Sequence, residues 1–572
     1  MDMKTRIAAL AAECMKSLWP DAEGLPAAEE LRGLLAVPPD PALGDYAFPC
    51  FRLAKPLHTA PPKIAEALCA AWNHAEVASV QPVNGYMNFF LNRENFAAET
   101  MAALLSQGER FGSSDLGKGK TVCLDYSSIN IAKRFHIGHL STTMIGHSLK
   151  RIFDFLGYTT VGINHLGDWG TQFGKMVCAY KKWGSREDVE SRGIDAMTEL
   201  YVRFHEEAEK DPTLEDEGRA WFKKIEDNDP EAMEIFSWFK EVTLRDAAKV
   251  YEKLGVTFDS YAGESFYNDK MEPVIQELRD KGLLVQSEGA WVVDLEEDNM
   301  PPCLILKSDG ATIYATRDLA AAIYRQNTYH FDKCLYVVAY QQDLHFRQVF
   351  RVLEKMGYPW AKDCVHVAFG MVSFEGEALS TRKGNVVLLD DLLDQAVAKA
   401  REIIEEKSPN LENKDEVARQ VGIGAVVYTD LSANRIKDID FRWERALNFD
   451  GESAPYVQYT HARCCSVLRK AGDLVNAAPD WSALTDDEAQ ALLRLLSRFP
   501  DVIREAADKY EPSMITRAVT DIAQAFNKYY YEHRILDGEP AQAGARVALT
   551  EATRAVIKTG LHLIGIEAPE RM

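Results

Sequence analysis

Two histidines three residues apart, in His136-Ile137-Gly138-His139, carry the strongest chemical signal in this chain. On a first helical turn, side chains at that spacing project from one face. Two imidazoles placed there can donate hydrogen bonds to phosphate oxygens, helped by the unpaired N–H groups and the positive helix end. Gly138 removes a side chain where a planar base would lie against backbone. Lys133, on the loop just before, could bring a mobile ammonium to the same oxygens. Four residues alone fit a pair of surface histidines equally well, so their setting has to decide.

That setting is a strand, a loop, a helix and a strand. Val122, Leu124 and Tyr126 alternate as a buried strand does, and a polar loop runs from Ser127 to Arg134. Leu140, Met144, Ile145, Leu149, Ile152, Phe153 and Leu156 then form one apolar stripe at helical spacing. Gly157 stands where a helix end wants no Cβ, and Tyr158 to Ile163 reads as the next strand. This unit opens a parallel α/β sheet, with the histidines at the strand's carboxyl end, where such sheets bind nucleotides.

Further along, the Cys334 to Ala339 run and the Val365 to Met371 run read as buried parallel strands. Ala311 to Asp318 reads as a short strand turning into a helix over Leu319 to Gln326. Residues 177 to 300 are helix-rich and strongly charged, as solvated helix faces are, and suggest an insertion between two halves of the sheet. From about 390 the pattern is helical to the end. Before the sheet, residues 1 to 112 suggest a small α/β module with a strand over Tyr86 to Leu91.

The 572 residues exceed one core and imply three or four domains. No apolar run is long enough to span a bilayer, and the N-terminus lacks the apolar block of a signal peptide. Ten cysteines without a CxxC pair suggest reduced thiols in a cytoplasm, with no zinc site. A formal net charge of −22 argues against a general nucleic-acid coat but permits one RNA gripped by local basic patches.

The His-Ile-Gly-His stretch, within SSINIAKRFHIGH and followed by NHLGDWGTQFGK, resembles the signature of class I aminoacyl-tRNA synthetases, the arginyl enzymes in particular. The resemblance extends to NGYMNF near the N-terminus, to ESAPYVQYTHAR, and to the closing GLHLIGIEAPERM. It implies a class I Rossmann-like parallel-sheet catalytic domain at 113–388, with the helical insertion at about 177–300. A small α/β N-terminal domain at 1–112 would contact the tRNA elbow. A helical connector would occupy 389–450, and an all-α anticodon-binding bundle 451–572. The activity implied is formation of arginyl-adenylate from L-arginine and ATP, then transfer to the 3′ end of tRNA(Arg). ATP would come with Mg²⁺ and no protein-bound metal; a cytoplasmic monomer is expected.

Residue by residue, the resemblance makes Lys133, His136 and His139 catalytic. ATP would meet His136, Gly138, His139, Ser380, Arg382 and Lys383. The second class I signature is degraded here, with both lysines of that loop missing from Ala378-Leu379-Ser380-Thr381-Arg382; Lys133 is expected to compensate. Arginine would be held by Tyr314, Asp318 and Gln342 at its guanidinium and by Ser128, Asn130 and His139 at its α-carbon groups. Ile129 belongs to the same loop, and Asp125 would add negative charge. A planar permanent cation requires such acceptors. Tyr456, Gln458, Tyr459 and Arg463 would meet tRNA, although a helix stripe of that kind also fits plain packing. Two readings stay open beside this one: another nucleotidyltransferase with the same motif or a synthetase for another amino acid, and a non-catalytic RNA-binding or regulatory paralogue.

Overall fold

The computed structural model describes residues 3–38, 40–378 and 387–572. They fall into two compact units. The first comprises 1–111, 464–499 and 524–556, and the second 112–463, 500–523 and 557–572.

The first unit contains strands β1 (Tyr46–Pro49), β2 (Val77–Val83) and β3 (Tyr86–Leu91), antiparallel in the order β1-β3-β2. Asn84 and Gly85, both at positive φ, make the two-residue turn that pairs Val83 with Tyr86. Phe48, Met87 and Phe89 form the buried face; helix Pro61–Ala71 packs on the sheet, and helix Met3–Leu18 packs against that helix. The later segment 464–499 closes on this module through Arg494, whose Nε is 2.8 Å from Asp45 Oδ1, and Gln490, whose amide donates to the Arg93 carbonyl. The unit thus combines residues 1–111 with two later segments of the chain.

The second unit is built on four parallel strands, β4 (Thr121–Asp125), β5 (Thr159–Ile163), β9 (Lys333–Ala339) and β10 (Cys364–Phe369), in the order β10-β9-β4-β5. Helix Leu140–Phe155 carries the chain from β4 to β5, and helix Asp343–Lys355 carries it from β9 to β10 on the other side. The connections therefore diverge between β4 and β9, and that divergence opens a crevice at their carboxyl ends. Helix packing onto the sheet is close: a Cβ on Gly146 would stand 2.3 Å from Tyr126.

Between the halves lie helices such as Pro230–Leu254 and, where a helical insertion was expected, a second sheet: β6 (Leu284–Ser287), β7 (Ala290–Val293) and β8 (Cys303–Leu306). Two further differences concern element type. Residues 311–313 are not a strand, and Tyr314 opens helix Tyr314–Tyr329 directly. The connector is not wholly helical either. Strand β13 (Ile439–Phe441) pairs in parallel with β11 (Val372–Phe374), beside β12 (Glu377–Ala378). Three-residue strands leave no legible period in a sequence.

Candidate active site

The histidine pair brackets a 3-10 turn, Ile137–His139, that runs directly into helix Leu140–Phe155. His136 caps it in extended conformation, and its Nδ1 accepts from Gly138 N–H at 3.1 Å. The His136 N–H points at His139 Nδ1 at 3.2 Å, closing a reciprocal box. The His136 carbonyl lies equally near that Nδ1, so the two roles compete at His139, whereas the role at His136 is unambiguous. A ring nitrogen that accepts leaves the proton on Nε2. Burial, then neighbouring His136 and Lys133, pushes the His139 imidazole down to about 3; burial and Lys133 lower His136. The pair is neutral at physiological pH, with ring centroids 4.0 Å apart and Lys133 exposed close by.

Three consecutive hydroxyls anchor this turn in three directions. Ser141 Oγ donates to Asp430 at 2.5 Å, Thr142 Oγ1 to the Val337 carbonyl of β9 at 2.7 Å, and Thr143 Oγ1 to Ser127 Oγ at 2.9 Å. The loop between strand and helix is strained, with Ser127, Ser128 and Ala132 all at positive φ. Its hold comes from tertiary bonds: Ser127 N–H to Thr142, Ala132 N–H to Thr243, and mutual backbone bonds joining Ile129 and Ile131 to Gly167. Asn130 packs so closely that a Cβ on Gly167 would stand 2.4 Å from its Oδ1.

Several expected roles differ from the positions found. Asp125 was expected to supply free negative charge; instead its Oδ2 is 2.7 Å from Arg325 and its Oδ1 accepts from Ser128. Burial works against the Arg325 guanidinium, but Asp125 outweighs it and holds its pKa well above the ordinary value. The pair is wholly buried and electrically closed, so it shapes the floor of the site. Ile129 has a buried side chain and its carbonyl already accepts from Gly167, so it does not face a ligand. Gln458 is buried too, donating to the Gln420 and Glu567 carbonyls, and cannot meet RNA. Ser380, Arg382 and Lys383 lie outside the described residues.

The acidic end is richer than expected. Tyr314 is 70% exposed at the start of helix Tyr314–Tyr329, one turn before Asp318. Arg325 lies seven residues after Asp318, on the same face, and ties this helix to the end of β4. Asp318 Oδ2 is 2.6 Å from His345 Nε2, and exposed Gln342 lies just before the helix that carries His345. His165, after β5, is half-buried within 3.4 Å of Arg325, and its surroundings lower its pKa, desolvation first, with Asp125 opposing and Arg325 assisting. Glu264 sits by Asp318, Asp168 and Arg317; burial and the two aspartates raise its carboxyl to about 7 despite Arg317. Asp168 itself is buried and satisfied by Lys240 and Ser265.

Sequence reasoning missed Glu264, His165, Arg325 and His345. His165 follows closely on the run read as the second strand, which was a usable signal, whereas His345 lies inside helix Asp343–Lys355. Glu264 had none, because it comes from the charged insertion. Tyr456 is half-buried, and Tyr459 is 42% exposed with the Arg463 guanidinium 4.9 Å from its ring centre.

Comparison with known proteins agrees across the chain. Residues 100–443 match the family model described as tRNA synthetases class I (R), catalytic domain. Residues 3–91 match the arginyl tRNA synthetase N-terminal domain, and 457–572 the DALR anticodon binding domain. Similar curated proteins are an arginine–tRNA ligase of Alkaliphilus metalliredigens, 54% identical over 95% of this chain and 96% of its own, and one of Clostridioides difficile, 53% identical over the same shares. A solved arginyl-tRNA synthetase of Thermus thermophilus, 26% identical, superposes over the whole of both chains with a TM-score of 0.80.

Proposed function

This chain belongs to the class I arginyl-tRNA synthetase family, and from that premise we propose how its residues carry the family's reaction. It is an ATP-dependent arginine–tRNA ligase: arginine's carboxylate attacks the α-phosphorus of ATP, pyrophosphate leaves, and the arginyl group passes to the 3′-terminal adenosine of tRNA. The observation that supports this reading is the neutral imidazole pair on an anchored helix start, together with a separate cluster of carboxylates around Asp318 and Glu264.

Adenylate formation asks for positioning and for stabilisation of charge growing on phosphate oxygens. His136 presents Nε2–H as a donor, and a neutral donor holds its proton while the charge develops. His139 stands beside it as a second neutral imidazole, and Lys133 brings positive charge without needing the absent lysines of the second signature. ATP arrives as its Mg²⁺ complex, the metal being part of the substrate. Ser380, Arg382 and Lys383 stay assigned to ATP on the resemblance alone.

At the other end, Asp318, Tyr314 and Gln342 take the guanidinium, with Glu264 as a second carboxylate. Binding arginine there replaces or shares the His345 contact of Asp318. Ser128 and Asn130 hold the α-carbon end. Tyr456, Tyr459 and Arg463 face tRNA, within a C-terminal anticodon-reading region. We place the enzyme in the cytoplasm as a monomer; among the described residues no helix is long and apolar enough to cross a membrane.

The test is aminoacylation of total tRNA with each labelled amino acid in turn, with His139→Ala as control. Charging confined to arginine and abolished in the variant is expected. Charging with a neutral amino acid would overturn the acidic-pocket assignment.

A further inference from the structure

Asp430 lies in the last turn of helix Lys414–Leu431 and is wholly enclosed, 4% exposed. Its Oδ1 accepts from Ser141, in the first turn of the helix that follows the histidine pair. Among the described residues its Oδ2 has no hydrogen-bond partner. Burial raises this carboxyl to about 7, only partly offset by the Ser141 bond. An enclosed carboxylate oxygen without a partner is costly to a fold. An asparagine or an apolar residue would serve packing as well or better.

The end of the helix bearing Asp430 is itself fixed. Tyr428 Oη lies 2.5 Å from Thr520 Oγ1, and Thr516 donates to the Leu431 carbonyl. Asp430 is therefore an acceptor on a held support, and Ser141 is what it reaches. Of the three hydroxyls that pin the turn, Thr142 and Thr143 hold it to β9 and to the strained loop. Ser141 alone holds it to the opposite helix.

We propose that Asp430 is a positioning residue for adenylate formation: through Ser141 it sets the first turn of helix Leu140–Phe155, and with it the aim of His136 and His139. Misplacement of a reacting group by about 1 Å costs on the order of 100-fold in rate. The accepted hydrogen bond, rather than the carboxyl's charge, performs this role, so an amide of the same shape replaces it.

The experiment is arginine-dependent ATP–pyrophosphate exchange, with tRNA present, on the full-length chain. Ser141→Ala and Asp430→Ala are expected to lower kcat by about 10- to 100-fold. The KM for arginine, whose pocket lies at the other end of the site, and tRNA affinity should stay within twofold. Asp430→Asn is expected to restore at least half of the wild-type kcat while raising the thermal midpoint at pH 8, since it keeps the acceptor and removes an ionisable buried group. A purely structural role would move midpoint and rate together. Wild-type kcat in Ser141→Ala would overturn the proposal, and so would an Asp430→Asn enzyme as slow as Asp430→Ala. Should Asp430→Ala fail to fold, the other two variants decide.

Discussion

Two titratable groups in the site have been moved far from their ordinary ranges in opposite directions, and each move suits a different task. His139, pushed down to about 3, stays neutral and keeps a donor proton at any pH the cell offers. Its contribution to stability is present above about 6.5, the unfolded value, and is lost as pH falls towards 3. Glu264, raised to about 7, titrates within the working range. A guanidinium beside it favours the ionised form, so arginine binding should release a proton from Glu264 near neutrality. The KM for arginine is therefore expected to rise as pH falls from 8 to 6. Glu264→Gln should raise that KM about tenfold or more at pH 8, the worth of a hydrogen bond to a charged group, and flatten its pH profile. Steady-state exchange over that range measures both. A variant that keeps the wild-type profile would remove Glu264 from the pocket.

Elements long enough to show their period were legible. Helix Leu140–Phe155 announced itself by its apolar stripe, and β4, β5, β9 and β10 by short apolar runs between turn residues, so the crevice at their carboxyl ends could be located. What escaped was whatever tertiary contact decides. Nothing in the spacing of Asp125 says that Arg325, two hundred residues on, will neutralise it. Tyr314 was read as the end of a strand, whereas the helix begins at that residue. The β6–β7 hairpin did leave a mark, the pair Glu288-Gly289 at positive φ between two alternating runs, inside a region whose charge suggested helix alone. The sheet–helix seam is an element-scale property with its own test. At Gly146 any side chain would enter Tyr126, whose ring is wedged between sheet and helix. Gly146→Ala should destabilise the chain by about 1–3 kcal/mol, as overpacking does, and lower exchange activity by displacing the helix start. A denaturant midpoint unchanged from the wild type would mean that the seam is looser than these distances imply.

For the whole molecule the open physical problem is how a chain of net charge −22 holds a polyanion. The long-range field opposes association, so attraction has to come from short-range contacts at few points, and the salt dependence of tRNA binding should be correspondingly shallow. The stacked pair Tyr459 and Arg463 is suited to this: a half-exposed ring offers a face to a base, and a cation over it is oriented rather than loose. Neighbouring Gln458, on the same helix, is turned inward and serves as its contrast. Arg463→Ala is expected to weaken tRNA binding at every salt concentration and to reduce the slope of log K against log salt by about 0.7, the value for one phosphate of a single strand. Tyr459→Ala should weaken binding with the slope preserved, because stacking releases no counterion. Gln458→Ala should lower the thermal midpoint and leave the slope as in the wild type. Filter binding across 50 to 200 mM salt, roughly the range over which phosphate contacts declare themselves, separates the three. Equal affinity of wild type and Arg463→Ala throughout would show that tRNA is gripped elsewhere, and that the stripe on this helix is packing.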